Sequence, residues 1–559
     1  MLLILVLGVY LRLTGLIKNT LSYDEIASFS IAAQSFPVGI LEKLANCDTQ
    51  APLYYLILNI WMKITGISEF NLRFLSVIFG SLNIMAVYWT GRKLLSPHVG
   101  FIAAGLMAIN SMQIYYSQEI RCYSFVSLLS IISVYFFLKI LQGQTHKNFI
   151  GLLLINTALL YTSNIAQLFV ASECLIIFSV LLFKKEFCAL KTFILYQFLC
   201  LFLYLPHLIL LFQQMKNYEL MRFSVGKISS IGAQINDLLS PYFSLTDNYF
   251  NNPYLFKIFS IFFVFIPILI FCISLFRSIL NKTSCFSLIA LVILFFTLEY
   301  LLMLNQKMPA ISRYAIFVSP VLILIWAKGL TSFKNKIVYS FFILSTFGIS
   351  LFYLFFIPLA PMNLTRSDFY KKAALIIKNN KFTTNDIILD IGIGNNFLKE
   401  YYKHFFNINS KMPEFDILQS LSGKKYDNLN YLGDEEFVEK LDRQKVKYQL
   451  IPYFKQIEPT EKFEDYIKEK FLNQLSAGDK IALITNQNIR SYNENLFTNT
   501  KISNDSIKIA YFSKLFVSKF NTDFIKVCKK NLVLVNLVKN NGQEVYIFKK
   551  VNIAKNGKL

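Results

Sequence analysis

From Leu2 to Leu354 one pattern repeats: apolar runs of helical length, broken by short polar stretches that hold most of the basic residues of this half. A hydrocarbon layer about 30 Å thick takes about 20 residues per helical crossing, and a crossing must satisfy its backbone hydrogen bonds internally. The pattern predicts about eleven crossings by that length rule. They fall near residues 2–17, 72–91, 98–114, 122–141, 148–163, 165–183, 190–212, 254–276, 285–304, 314–330 and 337–357. Only the polar kink TSNIAQ (162–167) separates the fifth from the sixth.

Around Pro358 to Asn363 the pattern stops, and Lys, Asn, Asp and Glu take over with short apolar runs between them. The remaining stretch is long enough for one domain with its own core. DIILDIGI (386–393), KIALIT (480–485), NLVLVNLV (531–538) and EVYIFKKV (544–551) read as strands. SDFYKKAALIIKNN (367–380) and FEDYIKEKFLNQL (463–475) have helical periodicity. The expected architecture is an α-helical polytopic membrane domain over 1–357 followed by an extracytoplasmic α/β domain over 358–559.

Composition agrees with a bilayer: 55% of residues are hydrophobic and 16% charged, with a mean hydropathy of +0.46. Soluble domains carry about 25% charge. The net charge of +22 raises nucleic acid as a partner, but no nucleic-acid-binding signature accompanies it. Instead GRKLLSPH, KILQGQTHK, KKEFCALK, RSILNK and KGLTSFKNK fall in alternate loops, each with two or more basic residues and, Glu186 aside, no acid. Basic loops stay cytoplasmic. The other loops, including 18–71, YYSQEIR (115–121), 213–253, NQKMPAISR and the C-terminal domain, therefore face out. The N-terminal run lacks a basic leader and a small-residue cleavage site and reads as a retained helix.

Other features carry less. ILDIGIGNN (388–396) resembles the first motif of S-adenosylmethionine-dependent methyltransferases, but Asn395 and Asn396 stand where a third glycine is expected, and a lone glycine pattern is a weak signal. The eight cysteines show no ligand spacing. Cys47 and Cys122 share the outer side, where either a bridge or two thiols fits.

The chemistry concentrates in three outer stretches. LSYDEIASFS (21–30), with Asp24 and Glu25, precedes DTQAPLYYLILNIW (48–61), an aromatic run opened by Pro52 and expected to lie along the membrane surface. YYSQEIRCYS (115–124) carries Glu119 and Arg121, and ISRYAIFVSPVLIL (311–324) carries Arg313. Adjacent residues do not share a helix face, so Asp24 and Glu25 point apart. Glu173 and Glu299 lie within crossings, and His207 follows Pro206 near an outer helix end. A structural role is read ahead of a catalytic one for all three.

In order and spacing, these stretches resemble the polytopic C-type glycosyltransferases (GT-C), especially bacterial proteins similar to dolichyl-phosphate-mannose protein mannosyltransferases and aminoarabinose transferases. The resemblance runs through YLRLTGL, the Asp-Glu pair, PLYY, NLRFLSVIFGSLNIMAVYWTGRKLL and YSQEIRCY, with an echo at Arg313-Tyr314. It implies an inverting transfer of a sugar from a polyprenyl-phosphate donor to a lipid, glycan or protein acceptor, at the outer face of the plasma membrane. Asp24 would be the base, with Glu25 orienting it or capping the helix that follows. Glu119 would bind the acceptor or hold Arg121, and Arg121 and Arg313 would bind phosphate. Gln50-Ala51-Pro52 and Thr162-Ser163-Asn164 depart from the family's His-Pro-Pro or Lys-Pro-Pro and Thr-His patterns. A divalent metal stays open, with no clear ligand set. The competing class is a sugar-lipid flippase, for which internal repeats with matching helix breaks would be expected; none is seen.

Overall fold

The computed structural model describes residues 1–16, 21–48, 50–221, 285–306, 312–331, 369–390, 395–411, 461–486, 523–540 and 543–551, with single positions between 333 and 348. The chain divides into two compact units: Met1–Gln214 with Lys227–Arg366, and Met215–Gly226 with Ser367–Leu559.

The first unit is helical. It contains α1 (Leu2–Leu13), α2 (Tyr23–Ala32), α3 (Val38–Cys47), α4 (Leu53–Thr65), α5 (Glu69–Leu94), α6 (Pro97–Ile109), α7 (Ser111–Ser117), α8 (Tyr123–Gln142), α9 (His146–Leu160) and α10 (Ala166–Phe183). Then come α11 (Phe187–Met221), which belongs to this unit as far as Gln214, α12 (Cys285–Gln306), a 3-10 helix (Ser312–Phe317) and α13 (Ser319–Leu330). Among the described residues four helices are long and apolar enough to cross a membrane: Glu69–Leu94, Tyr123–Gln142, Ala166–Phe183 and Phe187–Met215. The α6/α7 pair makes a fifth if taken as one bent span. On α11 the side chains of Leu195, Phe198, Phe202, Ile209 and Phe212 are each about two-thirds exposed. Such a stripe is costly in water and suited to lipid. The crossing expected at 254–276 and most of that at 337–357 lie outside the described residues.

Two expectations change in detail. The first helix stops at Leu13, because the chain turns through Gly15 at φ +76°, a left-handed position that favours glycine. The crossing expected at 98–114 is broken, with α6 and α7 meeting at 59°. At the break the Asn110 side chain accepts from the backbone N–H of Gln113, giving the chain a local alternative to helix continuation. Continuation would have bonded the carbonyls of Met107 and Ala108 to residues 111 and 112. Arg12 takes them instead, Nη2 to Met107 O and Nη1 to Ala108 O, both at 3.1 Å. Close approach of α5 to α6 needs glycine on both sides: a Cβ on Gly91 would lie 2.9 Å from the Gly100 Cα.

The second unit contains α14 (Phe369–Asn379), β1 (Ile387–Asp390), α15 (Asn395–Phe406), α16 (Glu461–Lys470), β2 (Lys480–Asn486), β3 (Val533–Asn540) and β4 (Gln543–Lys549). Its four strands form one sheet in the order β1-β2-β4-β3. β1 and β2 are parallel, and the other pairs antiparallel. All four strands and two of the three helices, α14 and α16, coincide with the periodic runs in the sequence; α15 falls outside those runs. Ile387, Ile388, Leu389, Ile481, Ala482 and Leu483 are fully buried, as a sheet covered on both faces requires. The glycines of ILDIGIGNN, Gly392 and Gly394, lie outside the described residues.

Candidate active site

The acidic pair opens α2. Ser22 and Glu25 form a capping box, in which the Ser22 hydroxyl accepts from the Glu25 N–H and the Glu25 carboxylate from the Ser22 N–H. The same carboxylate is fully buried and paired by a guanidinium fork, with Arg73 Nε at 2.7 Å and Nη2 at 2.8 Å. It also accepts from the Ile120 N–H at 3.3 Å, and Arg73 Nη1 donates to Leu16 O at 2.7 Å. Glu25 thus ties the chain after α1, the start of α2, helix α5 and the 118–122 turn to one point. A buried carboxylate is tolerated there because a bidentate cation and backbone donors surround it.

YSQEIR is the other half of that joint. Ser117 sits against α5, where a Cβ on Gly80 would come within 2.0 Å of its hydroxyl. Gln118 Nε2 donates to Arg12 O at 3.1 Å and Thr14 O at 2.9 Å, satisfying carbonyls at the end of α1. Glu119 is buried, and its Oε1 accepts from the Tyr115 hydroxyl at 2.6 Å. Beneath the turn, Gln113 Nε2 donates to Ser127 and Ser319 at 3.1 Å each, and Asn83 Nδ2 to Ser127 at 2.6 Å. This network joins α5, α7, α8 and α13.

Arg121 is buried and turns toward α2 and the end of α3. Its Nη1 donates to Ser28 Oγ at 3.3 Å and lies 3.8 Å from Asp48 Oδ2. The guanidinium stands over the Tyr123 ring at 5.9 Å. Burial works against its charge, but Tyr55, Asp24, Tyr123 and Asp48 outweigh burial and hold the Arg121 pKa well above its ordinary value. With the phenols neutral at physiological pH, the two carboxylates supply that field. The Tyr55 hydroxyl donates to Asp48 Oδ2 at 3.2 Å; burial, then the Asp48 charge, raise the phenol's pKa.

Glu25 therefore meets Arg73, while Asp24, one turn before Ser28 on α2, adds to the field that holds the Arg121 charge. Arg313 lies in the 3-10 helix (Ser312–Phe317), and its side chain is outside the described residues, as is that of Cys47. Glu173 is fully buried between α8, α9 and α10, and its Oε2 accepts from Ser133 Oγ at 2.7 Å and Asn156 Nδ2 at 3.2 Å. Glu299 is buried with no hydrogen-bond partner among the described residues. His207 Nε2 lies 2.9 Å from Asn164 Oδ1, and Asn164 Nδ2 donates to Gln214 Oε1 at 3.2 Å. Gln214 Nε2 in turn donates to Gln50 O at 2.8 Å, so the two positions that depart from the family pattern are joined through Gln214. Among the described residues no group of three or more His, Cys, Asp or Glu is placed to hold a metal ion.

Sequence reasoning missed Arg73 and Asp48. Arg73 is the one charged residue between Leu72 and Gly91 of α5, where an arginine calls for a counter-charge. Asp48 precedes the Pro-Leu-Tyr-Tyr run by a few residues, a position no periodicity marks.

Residues 49–210 match the family described as dolichyl-phosphate-mannose-protein mannosyltransferase. The fold is similar to that of ArnT from Cupriavidus metallidurans bound to undecaprenyl phosphate, with a TM-score of 0.56 at 10% identity over 98% of this chain and 97% of that one. The oligosaccharyltransferase of Archaeoglobus fulgidus in complex with zinc and sulfate aligns at a TM-score of 0.49 and 12% identity, over 98% of this chain and 73% of that one. No curated protein sequence matches the chain. The fold that this likeness covers is a helical bundle followed by an α/β unit. The family match carries the resemblance read over residues 8–125 on to Leu210, about two-thirds of the way along α11.

Proposed function

We propose that this protein is a membrane glycosyltransferase that moves a sugar from a polyprenyl-phosphate donor to a lipid, glycan or protein acceptor on the outer face of the cytoplasmic membrane. The observation that carries the reading is a buried guanidinium, Arg121, bonded at 3.3 Å to the Ser28 hydroxyl, which itself donates at 2.9 Å to the carbonyl of Asp24 one turn earlier on α2. The family match over residues 49–210, which includes Arg121, supports it.

Asp24 takes the proton of the acceptor hydroxyl as its oxygen bonds to the sugar's C1. The bond from C1 to the phosphate oxygen breaks on the opposite side, so the configuration at C1 inverts, and its electron pair stays on the carrier phosphate. Arg121, joined by Arg313, stabilises the charge gathering there. Glu25 holds Asp24 and the Arg121 turn in register through Arg73, and Glu119 either binds the acceptor or holds Arg121. The α/β unit lies outside the membrane. Basic inner loops attract anionic membrane lipids and fix the orientation.

The test is sugar transfer by purified protein from a polyprenyl-phosphate-sugar mixture made by the host's membranes. Asp24→Asn is expected to lower the rate about 10²- to 10⁴-fold with unchanged melting. Arg121→Ala is expected to lower it by weakening carrier binding. Wild-type rates in both variants overturn the assignment, and carrier translocation without transfer makes the protein a flippase.

A further inference from the structure

The Arg121 environment poses a problem for turnover that rests on the reading above. A sugar donor is a phosphodiester with one negative charge. The spent carrier is a phosphomonoester whose charge at neutral pH is between about −1.5 and −2. A buried guanidinium therefore binds product more tightly than donor, and a tightly held product limits turnover.

Asp48 answers that problem by position. It caps the end of α3, and its carboxylate is fixed by the Tyr55 hydroxyl at 3.2 Å. At 3.8 Å from Arg121 Nη1 it is near enough to share the cation's field, yet well beyond the 2.7 Å of the Arg73–Glu25 pair. Its side chain keeps 14% exposure, against 0% for Glu25, so it stands beside Arg121 while still reached by solvent. A fixed negative charge there opposes the doubly charged product more than the singly charged donor.

We infer that Asp48 is a positioning residue that competes with the carrier phosphate for Arg121 and promotes release of the spent carrier. Its removal strengthens binding of a prenyl phosphate, a sign opposite to that of a structural or a ligand-binding residue.

The experiment measures farnesyl phosphate binding to the full-length protein in detergent, with melting followed in parallel. Asp48→Asn is expected to bind about tenfold more tightly than wild type at a pH where the probe is a dianion. The gain shrinks in acid as the probe becomes a monoanion, and Asp48→Glu returns to the wild-type level. In transfer, kcat and KM of Asp48→Asn fall together. Equal or weaker binding by a folded Asp48→Asn overturns the inference and leaves the proposed function standing. Failure of wild type to bind farnesyl phosphate overturns both. Where Asp48→Asn does not fold, Tyr55→Phe decides: releasing Asp48 toward Arg121 weakens binding, and unchanged or tighter binding overturns the inference.

Discussion

Glu25 and Glu173 are both fully buried glutamates in the helical unit, yet their surroundings differ in kind. Glu25 meets a guanidinium fork and two backbone N–H groups contributed by separate parts of the chain. Glu173 meets a serine hydroxyl and an asparagine amide from neighbouring helices. The first is a charged joint among segments that would otherwise be loosely connected. The second is a contact with uncharged partners on neighbouring helices. Burial alone does not mark a functional acid; the charge and chain origin of its partners separate the two.

The comparison breaks most readily at Glu25. Glu25→Gln keeps the shape but strands a buried arginine, and is expected to cost about 3–5 kcal/mol. Thermal unfolding in detergent checks this, and transfer should fall with it because the turn bearing Arg121 loses its anchor. Glu173→Gln is expected to cost no more than about 1 kcal/mol and leave transfer near wild type, since an amide still accepts from Ser133 and Asn156. A Glu173→Gln protein that melts as early as Glu25→Gln would erase the distinction. The smallest effect is with pH. A guanidinium whose pKa rises on folding contributes stability below its unfolded value and loses it only as pH climbs through the folded one. Arg121 starts from the most basic side chain and is raised further, so it stays charged throughout the range of an assay. Farnesyl phosphate binding should therefore be flat between about pH 7.5 and 9, and a fall in that window would show that another group titrates in the site.

Much of this site was written in order along the chain. The Asp-Glu pair and YSQEIR were singled out because polar groups at the ends of apolar runs stand out against them. Gln118 and Ile120, within the same motif, serve the scaffold by capping α1 and bonding Glu25, which no residue type announces. Arg12 and Asn110 together account for the break between α6 and α7; apolar periodicity runs straight through it, because a helix whose carbonyls find an arginine looks continuous in composition.

The sequence by itself determined the solvent, the helical bundle and the four strands of the second unit. Hydrophobic period and run length are local properties that a bilayer or a sheet reads directly. Only the tertiary structure decided that Glu25 pairs with Arg73, 48 positions away, and that Asp48 stands beside Arg121. Pairing of charges depends on which helix ends converge, and convergence comes from packing across the whole bundle, which no local pattern encodes.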